Sequence, residues 1–319
     1  MFGRLGARIL LSAALGLIPL SAQADRFMNL RNEAALARGF GLPALGRAHL
    51  AEGNAWILST DLSNEYHASQ DGGSALLLDG ETARYAIEYR RRIGARMELG
   101  VELPLLHQSG GFMDSGIENW HDWFSLPNGG RDEAEQDQYR YRYVESGEIL
   151  LDVTDRGTRL GEARLLAAWA LGADTALRGA IKLPTGDADR LSGNDALAVS
   201  AWLDHGWQRG AWSAYLSGGG LYAARGEVLR EHQRRWVALG GAGLGWQAWP
   251  ALRFLVQLNA HSALYENVEQ EILRRAGLQL GIGAAIRLSP ASEFQIGFQE
   301  DPIVASSPDF SLHFALAFE

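Results

Sequence analysis

The chain has 319 residues, no cysteine, 29 basic residues and 38 acidic ones, for a net charge of −9. The lack of cysteine excludes disulfides, thiolate metal sites and a lipoprotein anchor, and the acidic balance argues against a nucleic-acid partner. Lys182 is the sole lysine; arginine in its place suits fixed ion pairs in a poorly hydrated lumen or phosphate recognition, although a base-composition bias of the genome gives the same result.

The first segment reads as an address. Arg4 and Arg8 form a basic region, Ile9 to Leu20 an apolar stretch interrupted by Pro19, and Ala22-Gln23-Ala24 a small-residue cleavage site. Together they predict a secretory signal peptide over 1–24. The alternative is a membrane anchor, but a spanning helix needs roughly twenty apolar residues, more than this stretch supplies. Removing Arg4 and Arg8 leaves 27 basic against 38 acidic residues, a charge of −11 on a mature chain starting at Asp25. Residues 25–47 are expected to form an N-terminal segment, either periplasmic or inserted into a lumen. With no Pro- or Ser-rich linker, 48–319 reads as one domain.

From Trp56 onward the pattern is period two, the mark of strands with one apolar face. Trp56, Leu58 and Leu62 come first, then Ala83, Tyr85, Ile87 and Tyr89 against Arg84, Glu88 and Arg90. Met97, Leu99, Val101, Leu103 and Leu105 alternate with Glu98 and Glu102; Leu165, Ala167 and Trp169 follow Arg164; Leu177, Gly179 and Ile181 alternate with Arg178 and Lys182. Further repeats run through Leu197–Leu203, Trp212–Leu216 and Trp236–Trp246, then Leu252–Leu258 beside Arg253, Leu278–Ile286 and Phe294–Phe298. The last, Phe310 to Glu319, keeps large apolar side chains on alternate positions to the end, as the closing strand of a barrel does. The total is about twelve strands, the even number that a bacterial barrel with both ends in the periplasm requires.

Connection lengths alternate as well. Short turns at 92–95, 172–174, 205–210, 248–251 and 289–292 are assigned to the periplasmic side, with Trp169, Trp207, Trp212, Trp246 and Trp249 near them as an interfacial girdle. Longer polar connections at 67–81, 107–158, 184–195, 222–233, 262–271 and 300–309 are assigned to the exterior. A soluble sandwich also alternates, but it would hide its apolar face and show loops of similar length at both ends.

The long extracellular loop 107–158 holds the densest chemistry. Ile117 to Leu126 has helical spacing, and Asp114, Glu118 and Asp122 with His121 form a donor set for a cation, although the same spacing is that of the wet face of an amphipathic helix. Residues 132–137 are a charge run, and Tyr139 to Asp152 alternates around Ser146-Gly147 like a projecting hairpin. Asp187, Asp189, Asn194 and Asp195 offer a second cation set that turn chemistry explains equally well. Gly241, Gly243 and Gly245, and Gly277, Gly281 and Gly283, occupy single strand faces, leaving either lumen room for an inserted segment or barrel curvature. Hydrolytic pairs are poor: His261 and Ser262 lie on opposite faces, and His107 with Ser109 lacks a third member. No catalytic residue and no cofactor is expected.

The whole chain resembles a family of Gram-negative outer-membrane proteins known as domain of unknown function 3187. The resemblance rests on Gly41-Leu42-Pro43, Leu78-Asp79-Gly80-Glu81-Thr82, Glu102-Leu103-Pro104, Gly110-Gly111-Phe112-Met113-Asp114, Trp120-His121-Asp122, Leu126 to Arg131, and Lys182 to Asp187. It implies an outer-membrane barrel and no reaction. The last of these segments is also similar to a loop of outer-membrane transporters of aromatic degradation pathways. The combined expectation is an all-β antiparallel barrel exported to the outer membrane. Its lumen is lined by Arg84, Glu88, Arg90, Glu98, Glu102, Arg164, Arg178, Lys182 and Arg253. Such a lumen suits a constricted or plugged channel for a small-molecule solute; a structural or surface-interaction barrel is the alternative and a lipid-modifying hydrolase the third reading. Expected partners are outer-membrane lipids, lipopolysaccharide and, through the terminal strand, the barrel-assembly machinery.

Overall fold

A computed structural model of the chain describes residues 26–111, 113, 137–302 and 307–319. The signal peptide, the helix at 117–126, the charge run at 132–136 and the cation candidates Asp114, Glu118, His121 and Asp122 lie outside the described residues. None of the described helices is long and apolar enough to cross a membrane, and strands carry the fold. In chain order these are β1 (Asn54–Asp71), β2 (Ser74–Ile93), β3 (Met97–Ser109), β4 (Arg140–Glu145), β5 (Glu148–Val153), β6 (Gly157–Leu160), β7 (Arg164–Ala170) and β8 (Thr175–Lys182). They continue with β9 (Ala198–Arg209), β10 (Trp212–Ala223), β11 (Trp236–Trp249), β12 (Leu252–His261), β13 (Gly277–Ser289), β14 (Ser292–Glu300) and β15 (Phe310–Phe318).

Twelve of the fifteen make a closed antiparallel ring. Strands β1, β2, β3 and β7 through β15 each pair with the next, and β1 also pairs with β15, with Trp56 opposite Phe318 and Asn64 opposite Phe310. Closure leaves this ring without free edges. The remaining three strands stand at the long-loop end: β4 and β5 form a hairpin added to the upper part of β2, and β6 extends β7's line along β3.

The two faces differ as the alternation demands. Leu103 is 55% exposed and Leu216 57%, in company with Ile87, Leu99, Leu165, Val256 and Ile296 on the outside, whereas Glu98 and Glu102, one position from exposed leucines, are each 1% exposed. A soluble fold would reverse this arrangement; an apolar exterior around a polar interior belongs in lipid. Four of the five short turns fall where expected; at 205–210 β9 continues to Arg209 and the turn is confined to Gly210 and Ala211, and Trp169, Trp207, Trp212, Trp246 and Trp249 are all exposed near that end.

Two expectations need correction. Residues 67–81 are not a loop, since β1 and β2 continue in register to Asp71 opposite Ser74 and turn through Gly72-Gly73. The polar Ser69, Gln70 and Asp71 disguise the strand, while the Gly-Gly pair marks the tight turn, with Gly72 at φ +53°. At about 3.3 Å per residue β1 is roughly 60 Å long, and even tilted by ~40° it outreaches the ~25 Å apolar band of such barrels, so its end beside Gly72 stands clear of lipid. The N-terminal segment also runs past residue 47: burial continues through Ala51, and β1 starts only at Asn54.

Inside the ring, apolar and charged layers alternate. At the long-loop end, Phe40, Leu42, Leu76, Leu78, Tyr139, Tyr141, Tyr143, Leu264 and Tyr265 belong to one buried cluster. The hairpin read as projecting thus turns Tyr141 and Tyr143 inward over the barrel mouth. Nearer the short-turn end, Phe27, Met28, Leu30, Leu45, Trp202 and Tyr215 form a second cluster.

Candidate functional site

The interior is occupied by residues 26–51, which enter at the short-turn end, climb, turn, and descend to β1. The turn is a single helical one, α1 (Ala35–Arg38), and just before it the Asn32 side chain accepts the Ala34 N–H on Oδ1 at 3.0 Å. Three side chains hold this apex: Glu65 Oε2 accepts from Ala35 N at 3.0 Å, the Tyr265 hydroxyl donates to Leu36 O at 2.8 Å, and Lys182 Nζ donates to Gly39 O at 2.7 Å. Lys182 also meets Glu162 at 2.6 Å. Burial raises the Glu162 carboxyl to about 7, against the opposing pull of Lys182.

The ascending limb lies against β11 to β14. Met28 N donates to Gln257 Oε1 at 2.7 Å and Met28 O accepts from the same side chain at 3.2 Å, so one glutamine mimics a strand neighbour. A Cβ added at Gly281 would strike Leu30 Cδ1, one at Gly243 would strike Tyr215 and reach Phe27, and one at Gly297 would come within 2.5 Å of Met28 Sδ. On the same wall a Cβ at Gly241 would come within 2.8 Å of Leu45, from the descending limb. Gly241, Gly243, Gly281 and Gly283 thus make room for the inserted segment, the first of the two readings, whereas Gly245 faces Ser213 and Leu255 and Gly277 faces His261, both on the wall itself.

The descending limb is gripped by charge. Arg178 donates to Arg47 O and His49 O, both at 2.6 Å, and meets Glu98 at 3.0 Å. Glu98 in turn accepts from Ala51 N at 2.6 Å. Arg47 meets Glu88 at 3.0 Å, and Asp204 accepts the N–H groups of Gly46 and Arg47. Desolvation lowers the Arg47 guanidinium to about 10 in spite of Glu88.

A second knot centres on Glu102. Arg31 crosses from the ascending limb to bind it bidentately, with both contacts at 2.8 Å, while Arg84 meets it at 2.7 Å and Arg164 at 3.5 Å. Arg84 continues to Asp61 at 3.2 Å, and Asp61 to His313 at 2.6 Å. Arg90 bridges Glu88 and Glu98 at 2.7 and 2.8 Å.

All nine residues proposed from sequence for the lumen lie inward and buried. Eight of them join these connected networks; Arg253 stands apart at the short-turn end, donating to Arg26 O at 2.6 Å. Sequence reading missed Arg31, Asp61, Asp204 and His313. Asp61 and His313 have the inward parity of strands already identified, so extending the alternation one step would have found them. Arg31 sits in a segment with no periodic signal.

The other motifs resolve differently. His261 Nε2 accepts from Asn32 Nδ2 at 2.9 Å, and the Ser262 hydroxyl accepts from Ala238 N at 3.0 Å, so imidazole and hydroxyl do not meet. His107 pairs with Thr158 at 2.9 Å. In the loop after β8, Asn194 N donates to Glu162 and Asp187 N to Ser192 Oγ. Among the described residues there is no group of three metal-ligating side chains.

In fold the chain is similar to the COG4313 outer membrane channel from Pseudomonas putida F1, with 12% identity and a TM-score of 0.53 over 85% of this chain and 97% of that one. It also aligns with the CymD monoaromatic hydrocarbon channel, at 11% identity and a TM-score of 0.44 over 92% and 98% of the two chains. A third alignment is with the NanC porin, at 6% identity and a TM-score of 0.45 over 83% and 99%. No curated protein matches the sequence. The family described as Protein of unknown function (DUF3187) matches residues 9–319, and the chain belongs to that family.

Proposed function

We propose that the protein is an outer-membrane channel for small molecules whose own residues 26–51 hold it closed. In this reading the short turns face the periplasm and the long connections the exterior, and the closing segment enters and leaves through the periplasmic mouth. The observation that carries the proposal is the wall itself. Its inward face is built for contact with a separate segment, through glycine seats on one side and hydrogen bonds to plug backbone on the other. A barrel whose role is purely structural is filled most simply by wall side chains meeting one another.

Deletion of 26–50 from the mature protein is the test. In planar bilayers the full chain should conduct little, and the deletion variant should show discrete conductance steps with polar-solute permeability. Both proteins should migrate faster in unheated detergent gels, which reports a closed barrel. Silence from a folded deletion variant would replace the channel with a structural barrel.

A further inference from the structure

A buried charge is normally paired, because desolvation otherwise costs several kcal/mol. Arg38, the last residue of α1, comes close to breaking that rule: Glu33 and Glu65 act on its charge through space, but nothing hydrogen-bonds it. Its Nε and both terminal nitrogens are screened from solvent and have no hydrogen-bond partner. Arg38 lines a small polar cavity under the apex of the inserted segment, shared with Arg84, Arg164, Glu33, Glu162 and Ser192. Arg164, 8% exposed, also leaves its Nε unbonded there.

Glu102 serves Arg84 at 2.7 Å and Arg164 at 3.5 Å from outside the cavity, and the carboxylates that line it leave Arg38 without a hydrogen bond. Glu162 is engaged by Lys182 at 2.6 Å, and Glu33 faces Arg84 at 3.6 Å. Burial raises both carboxyls, Glu162 to about 7, which weakens their negative charge at neutral pH. Glu33 Oε1 and Glu162 Oε2 are themselves unbonded and are open to a donor from a ligand or water.

We propose that this cavity is a binding site for a small carboxylate, with its oxygens taken by the planar donor forks of Arg38 and Arg164, the geometry in which guanidinium and carboxylate match. Treating that anion as cargo rests on the channel reading; its binding does not. Formate is the probe, titrated into the full-length protein in detergent, with ionic strength held by HEPES, an anion too large for the cavity. The temperature at which the gel mobility shift is lost should rise saturably with formate. Arg38→Gln and Arg164→Gln should each move the half-saturation point up by about tenfold or more, the loss expected for a charged hydrogen bond. Without formate, Arg38→Gln should keep the parent's heat-dependent mobility shift, since Arg38 makes no hydrogen bond whose loss would open the barrel. The proposal is overturned if the parent shows no saturable response, or if both variants respond as the parent does. Because no conductance is read, a silent bilayer would sink the channel reading and leave this result standing.

Discussion

Along β2, β3, β8 and β9 the inward positions carry Arg84, Glu88, Arg90, Glu98, Glu102, Arg178 and Asp204, while along β11, β13 and β14 they carry Gly241, Gly243, Gly281, Gly283 and Gly297. Both walls hold the same 26-residue stretch, yet by different physics. On the charged wall, attraction and desolvation largely offset each other, and what remains is geometry: Arg178 can reach Arg47 O and His49 O in one arrangement only. On the glycine wall, Phe27, Met28 and Leu30 bury apolar surface at roughly 25 cal/mol per Å², but the seat says little about register. The contrast separates placement from adhesion, with one wall aligning the segment and the other keeping it.

The largest effect should come from the charged wall. Glu102→Ala leaves Arg31, Arg84 and Arg164 without their shared carboxylate, and loss of one partner from a buried cluster of this kind costs about 3–5 kcal/mol. Urea unfolding of the refolded barrel measures it; a loss under 1 kcal/mol would show that the cluster is solvated and that the wall aligns nothing. On the opposite wall, Gly281→Leu should displace Leu30, cost about 1–3 kcal/mol as overpacking does, and raise bilayer conductance. Adding Leu30→Ala should restore the closed state. Equal conductance in the single and double variants would break the claim that shape holds this limb.

The smallest effect concerns the apex. Glu162 has a folded-state value near 7 against an ordinary 4.5, so between those limits the folded protein keeps a proton that the unfolded chain releases. Stability from this group is therefore greatest below pH 4.5 and falls as pH rises towards 7. The slope should become shallower in Glu162→Gln, as read by unfolding temperature across that range, with buried Glu33, also raised, keeping part of it.

The sidedness of the barrel was legible because a one-residue error in period two exchanges every residue between lipid and lumen. Leu103 and Glu102 could not both be misplaced without contradiction. The glycine faces were half legible: Gly281 and Gly283 announce room, but the occupant, Leu30 and Met28, lies some 250 residues earlier in a stretch with no periodicity. The Arg31 to Glu102 pair was not legible at all, because nothing local at either residue encodes a contact across 71 positions. The hairpin over 67–81 was missed because its first half, His67 to Ser74, is polar and imitates a loop, which hides the inward Leu76 and Leu78 that follow. Asp61 and His313 were readable and overlooked, their acid–imidazole pair being formed only across the closing seam.

That seam has a consequence for the order in which the molecule is made. Arg26 pairs with Glu319, just past β15, and the filling segment leads directly into β1, which pairs with β15 across the seam. The contents of the barrel are thus tethered at its last gap. A sheet so connected can curl around its filling as it closes, with no strand threaded through a finished wall and no stage at which an empty ring must first exist.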